Sequence, residues 1–289
     1  MIKQIRMLEA SRFALDGGAM FGVVPKNMWS KSYHLGDEMN RVPLSSRVLF
    51  VETDANKIVI DCGIGDKFDS KYRSVYGLEA FSGFLTPPSL TETLEANLIG
   101  PESIDSVIIT HLHFDHCGGA TVKSKSGTIE PALPNARHYI QKSQWNRALN
   151  PSVKDRASYL SDNYLPLYDC GIVEFIDGCG EILPNIKAEV VNGHSAGMQI
   201  VYIQDDCSSY LYAADLIPTS AHINNSYIMA YDNEPLISIE EKSRILKKCL
   251  EDDTTILLEH DRFCEAVRIG QIESKIKIMA KIENFKITT

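Results

Sequence analysis

Ser106-Val107-Ile108-Ile109-Thr110-His111-Leu112-His113-Phe114-Asp115-His116-Cys117-Gly118-Gly119 decides how the chain folds and what it holds. An apolar, β-branched run that reads as a buried strand delivers three imidazoles and one carboxylate within six residues. Packing gives no reason for so many hydrogen-bonding groups at the end of a core strand, since each one buried without a partner costs roughly 1–3 kcal/mol. A metal ion is the simplest partner for all of them. The alternative is a solvated loop that happens to place His-x-His-x-Asp-His, in a chain with only eight histidines. Cys117, inside the motif, reads as a small buried apolar residue before it reads as a ligand.

Working outward, the segments beside the motif alternate strand and helix. Arg47–Glu52 and Lys57–Cys62 read as a β-hairpin across Thr53-Asp54-Ala55-Asn56. Its second strand runs into Ile60-Asp61-Cys62-Gly63-Ile64-Gly65, where Asp61 either caps a turn or hydrogen-bonds a ligand loop. Ser89 and Glu92 have capping-box spacing and open a helix that Gly100-Pro101 stops. Arg137–Gln141 reads as a strand, and Ser143–Leu149 and Val153–Tyr164 as helices; aromatics such as Tyr139, Trp145 and Tyr159 either line a cleft or pack the core. Short strands follow at 172–176, 186–191, 198–203 and 209–213, with a turn at 204–208, then a helix from a second capping box, Ser238 and Glu241, and a strand at 254–258. Residues 1–45 read as irregular, with Asp16-Gly17-Gly18-Ala19-Met20-Phe21-Gly22 a glycine-punctuated loop. Met20 and Phe21 look exposed there, and either tuck into the core or wall a substrate pocket.

Strand ends also sort the remaining histidines. His194 follows the 186–191 strand, His260 follows the 254–258 strand, and Asp215 holds the same position after the 209–213 strand. In an α/β protein such ends gather on one rim, where ligands collect. His111, His113, Asp115, His116, His194, Asp215 and His260 exceed the needs of one tetrahedral ion, whereas two ions sharing a bridging carboxylate use them all.

In order and spacing these residues resemble the metallo-β-lactamase superfamily of hydrolases: His-x-His-x-Asp-His at 111–116, Gly193-His194, Asp215, His260 and, before them, Asp61-x-Gly63. The resemblance covers roughly residues 45 to 265. It implies an α/β fold, an αββα sandwich of two mixed sheets with outer helices. It also implies two divalent ions, zinc first, with iron, manganese or cobalt able to use the same cage. His111, His113 and His194 would hold one ion, Asp115, His116 and His260 the other, with Asp215 bridging and a water or hydroxide between them. Asp115 would be the catalytic carboxylate that orients this hydroxide. His113, where flavo-diiron relatives carry Glu, favours hydrolysis over redox chemistry.

The short stretch after His260 leaves no room for the helical domain of glyoxalase II, and no inserted nuclease domain is visible. Asp16–Gly22 together with Asp215-Leu216-Ile217-Pro218-Thr219-Ser220-Ala221-His222 is similar to the branch holding YtnP-type quorum-quenching lactonases and methyl parathion hydrolases. Lactonases of the AiiA type carry a catalytic Tyr where this chain has Pro218, so that role falls to another group. His222 either donates a hydrogen bond in the pocket or is satisfied locally. The expected reaction is hydrolysis of a lactone, ester or related acyl compound; phosphotriester hydrolysis on the same site and a metal-bound ligand sensor are the alternatives.

Composition narrows the partners. With 289 residues, 44% hydrophobic and 23% charged, the chain is globular, and a single domain over 1–289 is expected. A net charge of −9 without a basic stripe argues against nucleic acid. No run approaches the ~20 apolar residues that span a membrane, and the N-terminus lacks a signal-peptide core. Seven cysteines without a C-x-x-C pair read as separate thiols in a reducing compartment. A soluble, cytoplasmic enzyme with a small-molecule substrate is expected, and the relatives leave room for a homodimer.

Overall fold

The computed structural model describes residues 1–78, 87–205 and 207–288. They form two compact units, one of Met1–Phe13, Ser45–Asp177 and Lys286–Thr289, the other of Ala14–Leu44 and Gly178–Phe285. Among the described residues there are two seven-stranded sheets and one small two-stranded sheet. No helix among them is long and apolar enough to cross a membrane.

The first sheet contains β1 (Ile2–Asp16), β2 (Arg41–Thr53), β3 (Lys57–Ile60), β4 (Ser106–Ile108), β7 (Arg137–Gln141), β8 (Val173–Ile176) and β16 (Lys286–Thr288), in the order β16-β1-β2-β3-β4-β7-β8. The small sheet pairs β5 (Thr121–Lys123) with β6 (Ile129–Pro131). β2 and β3 form the expected antiparallel hairpin, and β3, β4, β7 and β8 run parallel. β4 is buried along its whole length, as parallel strands covered on both faces are. Ile60 pairs with Ile108, so Asp61 and the histidine motif leave the sheet from adjacent strand ends. Helix α1 (Leu90–Ala96) starts at the Ser89/Glu92 capping box, and Leu90 and Leu94 join Val59, Val107 and Ile109 in the core.

The second sheet runs β15-β14-β13-β12-β11-β10-β9, from β9 (Gly180–Leu183) and β10 (Ile186–Val191) through β11 (Met198–Gln204), β12 (Ser209–Tyr212) and β13 (Thr255–Leu257) to β14 (Ala266–Ile272) and β15 (Lys275–Ile282). β10 and β12 are both antiparallel to β11, and β13 is parallel to β12. The three strands that precede His194, Asp215 and His260 therefore point the same way. Tyr212 pairs with Leu257, which sets Asp215 and His260 each three residues past paired positions.

Several local expectations need correcting. The N-terminal 45 residues are not irregular: β1 is a 15-residue strand, whose alternation is masked by charges such as the Glu9–Arg12 pair at 2.7 Å. Gly17–Phe21 is a short helix capped by Asp16, not a loop, and Met20 and Phe21 are fully buried rather than exposed. No helix spans 153–164; 3-10 turns stand at Arg156–Ser158 and Ser161–Asn163. There Asp155 accepts from Ser152 N and Oγ and from Arg147, a local bonding pattern that competes with helix. The late helix begins at Pro235, whose fixed φ suits the first turn, and Ser238 lies buried inside it. Strands β9, β14 and β15 had no sequence expectation. The β14–β15 hairpin turns on Glu273 and Ser274, both at positive φ, and lacks the Asn-Gly signal by which such turns are read. Asp206, in the expected 204–208 turn, lies outside the described residues.

Candidate metal centre

Four of the seven expected donors belong to the first unit and three to the second. In the first, the chain turns from β4 through Thr110 into helix α2 (Phe114–Cys117). His111 Nε2 lies 3.1 Å from His113 Nδ1, and His116 Nε2 lies 3.9 Å from Asp115 Oδ1. All four side chains are buried.

Asp61 organises this set from the end of β3. Its Oδ1 accepts from Thr110 N at 2.7 Å, and its Oδ2 accepts from Thr110 Oγ1 at 2.7 Å and from His116 Nδ1 at 3.0 Å. The Thr110 hydroxyl proton is committed to Asp61, so Thr110 Oγ1 accepts from His111 Nδ1, 3.1 Å away. One carboxylate thus sets the tautomers of two imidazoles and leaves both Nε2 lone pairs facing outward, an arrangement common around metal-ligating histidines. Asp61 is at φ 58, a strained position that aims its side chain back over the strand end. The glycines after the motif are sterically required. A Cβ on Gly118 would lie 2.0 Å from Ile64 O and one on Gly119 2.1 Å from Cys62 O. Lys67, largely buried and with its pKa lowered by that burial, donates to Gly118 O and Thr121 O and closes the turn. Cys117 is fully buried and its thiol is pushed up to about 12, which makes it a packing residue, not a thiolate ligand.

In the second unit one carboxylate faces two imidazoles. Asp215 Oδ2 lies 3.2 Å from His194 Nε2, and Asp215 Oδ1 lies 3.1 Å from His260 Nε2. Each histidine is anchored from behind. Asp232 Oδ1 accepts from His194 Nδ1 at 2.9 Å, and His194 O accepts from Asn233 N and Nδ2. His260 N donates to Pro218 O at 3.1 Å, so Pro218 helps to hold the loop that carries His260. Asp261 fixes the same loop by accepting from Ser220, Phe263 and Cys264 N–H groups.

The donor chemistry fits divalent metal. Two ligands each 2.0–2.2 Å from a tetrahedral ion stand ~3.3–3.6 Å apart. The 3.1, 3.2 and 3.9 Å separations bracket that value, and buried imidazole and carboxylate together suit zinc and its first-row neighbours.

Three further expectations, Met20, Phe21 and His222, behave differently. Phe21 is stacked between Trp29 at 5.1 Å and His222 at 5.0 Å, inside the core of the second unit. His222 Nε2 donates to Met20 O at 2.9 Å and its Nδ1 accepts from Thr219 Oγ1 at 2.7 Å. Both nitrogens are used, and burial first, then the Lys242 charge, drops its pKa to about 4. Local satisfaction, not a pocket donor, is therefore the role the structure gives His222, with Met20 as its partner. Thr110, Asp232 and Lys242 carried no expectation, and Glu241 was expected only as a helix cap. Thr110 lay inside the quoted motif, whereas a lone Asp in a loop has no spacing to betray it.

The chain matches the profile of the metallo-beta-lactamase superfamily over residues 41–258. An N-acyl homoserine lactonase of Bacillus thuringiensis is 25% identical over 219 residues, 73% of this chain and 79% of that protein. The crystal structure of a probable metal-dependent hydrolase from Staphylococcus aureus superposes with a TM-score of 0.86 at 30% identity, covering 96% of both chains. The structure of AidC, a dizinc quorum-quenching lactonase, superposes with a TM-score of 0.76 at 16% identity over 97% of each chain.

Proposed function

The chain belongs to the metallo-beta-lactamase superfamily of metal-dependent hydrolases, and from that premise we propose that it is a dinuclear lactonase whose seven donors hold two zinc ions. His111, His113 and His194 would hold one ion and Asp115, His116 and His260 the other, with Asp215 available to both. The observation that carries this reading is the Asp215 carboxylate, with one oxygen against His194 and the other against His260. A single-ion site has no use for a carboxylate split between two imidazoles.

Bound divalent ions would supply hydroxide at neutral pH, by lowering the pKa of water to ~7, and would polarise the scissile carbonyl. The chain's own residues do the rest. Asp115 orients the attacking water by accepting its hydrogen bond. Asp61 and Asp232 fix the Nδ1–H tautomer of His116 and His194, so that Nε2 is the nitrogen presented. Tyr159 packs edge-on to His113 at 4.7 Å and lines a cavity of about 400 Å³ together with Phe68, Tyr72 and Leu160 and the charged Lys67, Asp69, Lys123 and Asp162. The lactonase relatives favour an N-acyl lactone over the other acyl and phosphotriester substrates. Seven cysteines with no disulfide among them suit a reducing, cytoplasmic setting.

The test is metal content and turnover on one preparation. Two equivalents of zinc and hydrolysis of N-acyl homoserine lactones ahead of thioesters, phosphotriesters and β-lactams are expected, with Asp115→Ala lowering kcat at least ~100-fold while the fold is kept. Two equivalents with no turnover across that panel would sink the reading in favour of a ligand sensor.

A further inference from the structure

The late helix, α4 (Pro235–Glu251), buries Ser238, Lys242, Ile245, Leu246 and Cys249 on one stripe. An aliphatic residue is expected at each such position, and one carries an ammonium. Lys242 is 1% exposed, and its Nζ donates to Asn224 O at 3.2 Å and to Tyr227 O. A buried cation costs several kcal/mol unless it is compensated, so its partners bear on why it is there. Here they are two carbonyls of one chain reversal, and five residues after Tyr227 stands Asp232, the carboxylate that holds His194 Nδ1. The neighbouring Glu241 accepts from Asn192 N at 2.8 Å and Gly193 N at 2.9 Å, the two residues that precede His194. Consecutive side chains of α4 therefore grip both segments that meet at this histidine.

We infer that Lys242 is a positioning residue for His194: it pins the 224–227 reversal from which the chain runs to Asp232, the acceptor of His194 Nδ1–H. This rests on His194 being a metal ligand. Asp232 is the charge that favours the ammonium against burial, which lowers the Lys242 pKa to about 8. The Lys242 ammonium thus anchors, through two carbonyls, the segment that leads to Asp232, whose hydrogen bond fixes the tautomer of the histidine.

The experiment is a double-mutant cycle read in zinc affinity by chelator competition, alongside urea denaturation of the metal-free protein. Lys242→Met and Asp232→Asn are each expected to weaken zinc binding 10- to 100-fold, the range for supporting partners of metal ligands. The double variant is expected to be no weaker than the worse single, because both act on the same support of His194. Ile245→Val, on the same stripe, supplies a stability control whose zinc affinity stays within twofold. Lys242→Met with lowered metal-free stability but zinc affinity within twofold of wild type overturns the inference, as do single effects that multiply in the double variant. If Lys242→Met does not fold, Lys242→Gln, which keeps a donor without the charge, is judged by the same criteria. Failure of the underlying reading is separately visible: His194→Ala would then retain both zinc equivalents.

Discussion

At the residue scale, the imidazoles are controlled by what lies behind them. Asp61→Ala would leave Thr110 N, Thr110 Oγ1 and His116 Nδ1 without their acceptor, and zinc affinity measured against a chelator is expected to fall 10- to 100-fold. Affinity equal to wild type would show that these bonds do not set the ligands. His138 and His222, whose pKa values burial drops to about 4, make an opposite prediction for stability. Each binds a proton more readily in the unfolded chain, so their contribution is fully present above pH ~6.5 and is lost as pH falls from there towards 4. Urea denaturation between pH 7 and 5 should therefore show a shallower loss in His222→Gln than in wild type. Equal slopes would mean that His222 titrates normally. Because His222 is spent on Met20 and Thr219, the same variant should leave the pH profile of turnover unshifted.

At the element scale, close approach of backbones sets the geometry. Helix α2 can sit beside the end of β3 only because Gly118 and Gly119 present no Cβ to the Ile64 and Cys62 carbonyls. Gly118→Ala is expected to cost several kcal/mol in urea denaturation, since backbone, not a side-chain tip, would have to move. A loss below ~1 kcal/mol would show that the loop yields. In the second unit α4 plays the matching part: a Cβ on Gly193 would lie 2.3 Å from Ser238 N, and Glu241 bonds the turn from the helix. This explains why the capping box read from Ser238 and Glu241 does not form. The Glu241 carboxylate already serves Asn192 and Gly193, and helix φ begins earlier, at Pro235.

At the scale of the whole molecule, the proposed metal ligands come from distant parts of the chain, so metal binding and folding should be linked. Chelation is expected to lower Tm by several degrees, two equivalents of zinc to restore it, and excess zinc to raise it further with concentration. Asp215→Ala should abolish that response, and a Tm indifferent to chelator would argue against metal binding by these residues. What the sequence by itself determined was local chemistry. The motif at 111–116, the strand ends before His194, Asp215 and His260, and the α1 capping box follow from residue type and short spacing, which act between neighbours in the chain. What only the tertiary structure decided was the support: Asp61 on His116 across 55 residues, Asp232 on His194 across 38, Lys242 beneath the 224–227 reversal, and Met20, Phe21 and His222 as one packed group. A lone carboxylate or lysine carries no periodic signal, and its role is set by which distant backbone group burial leaves in need of a partner.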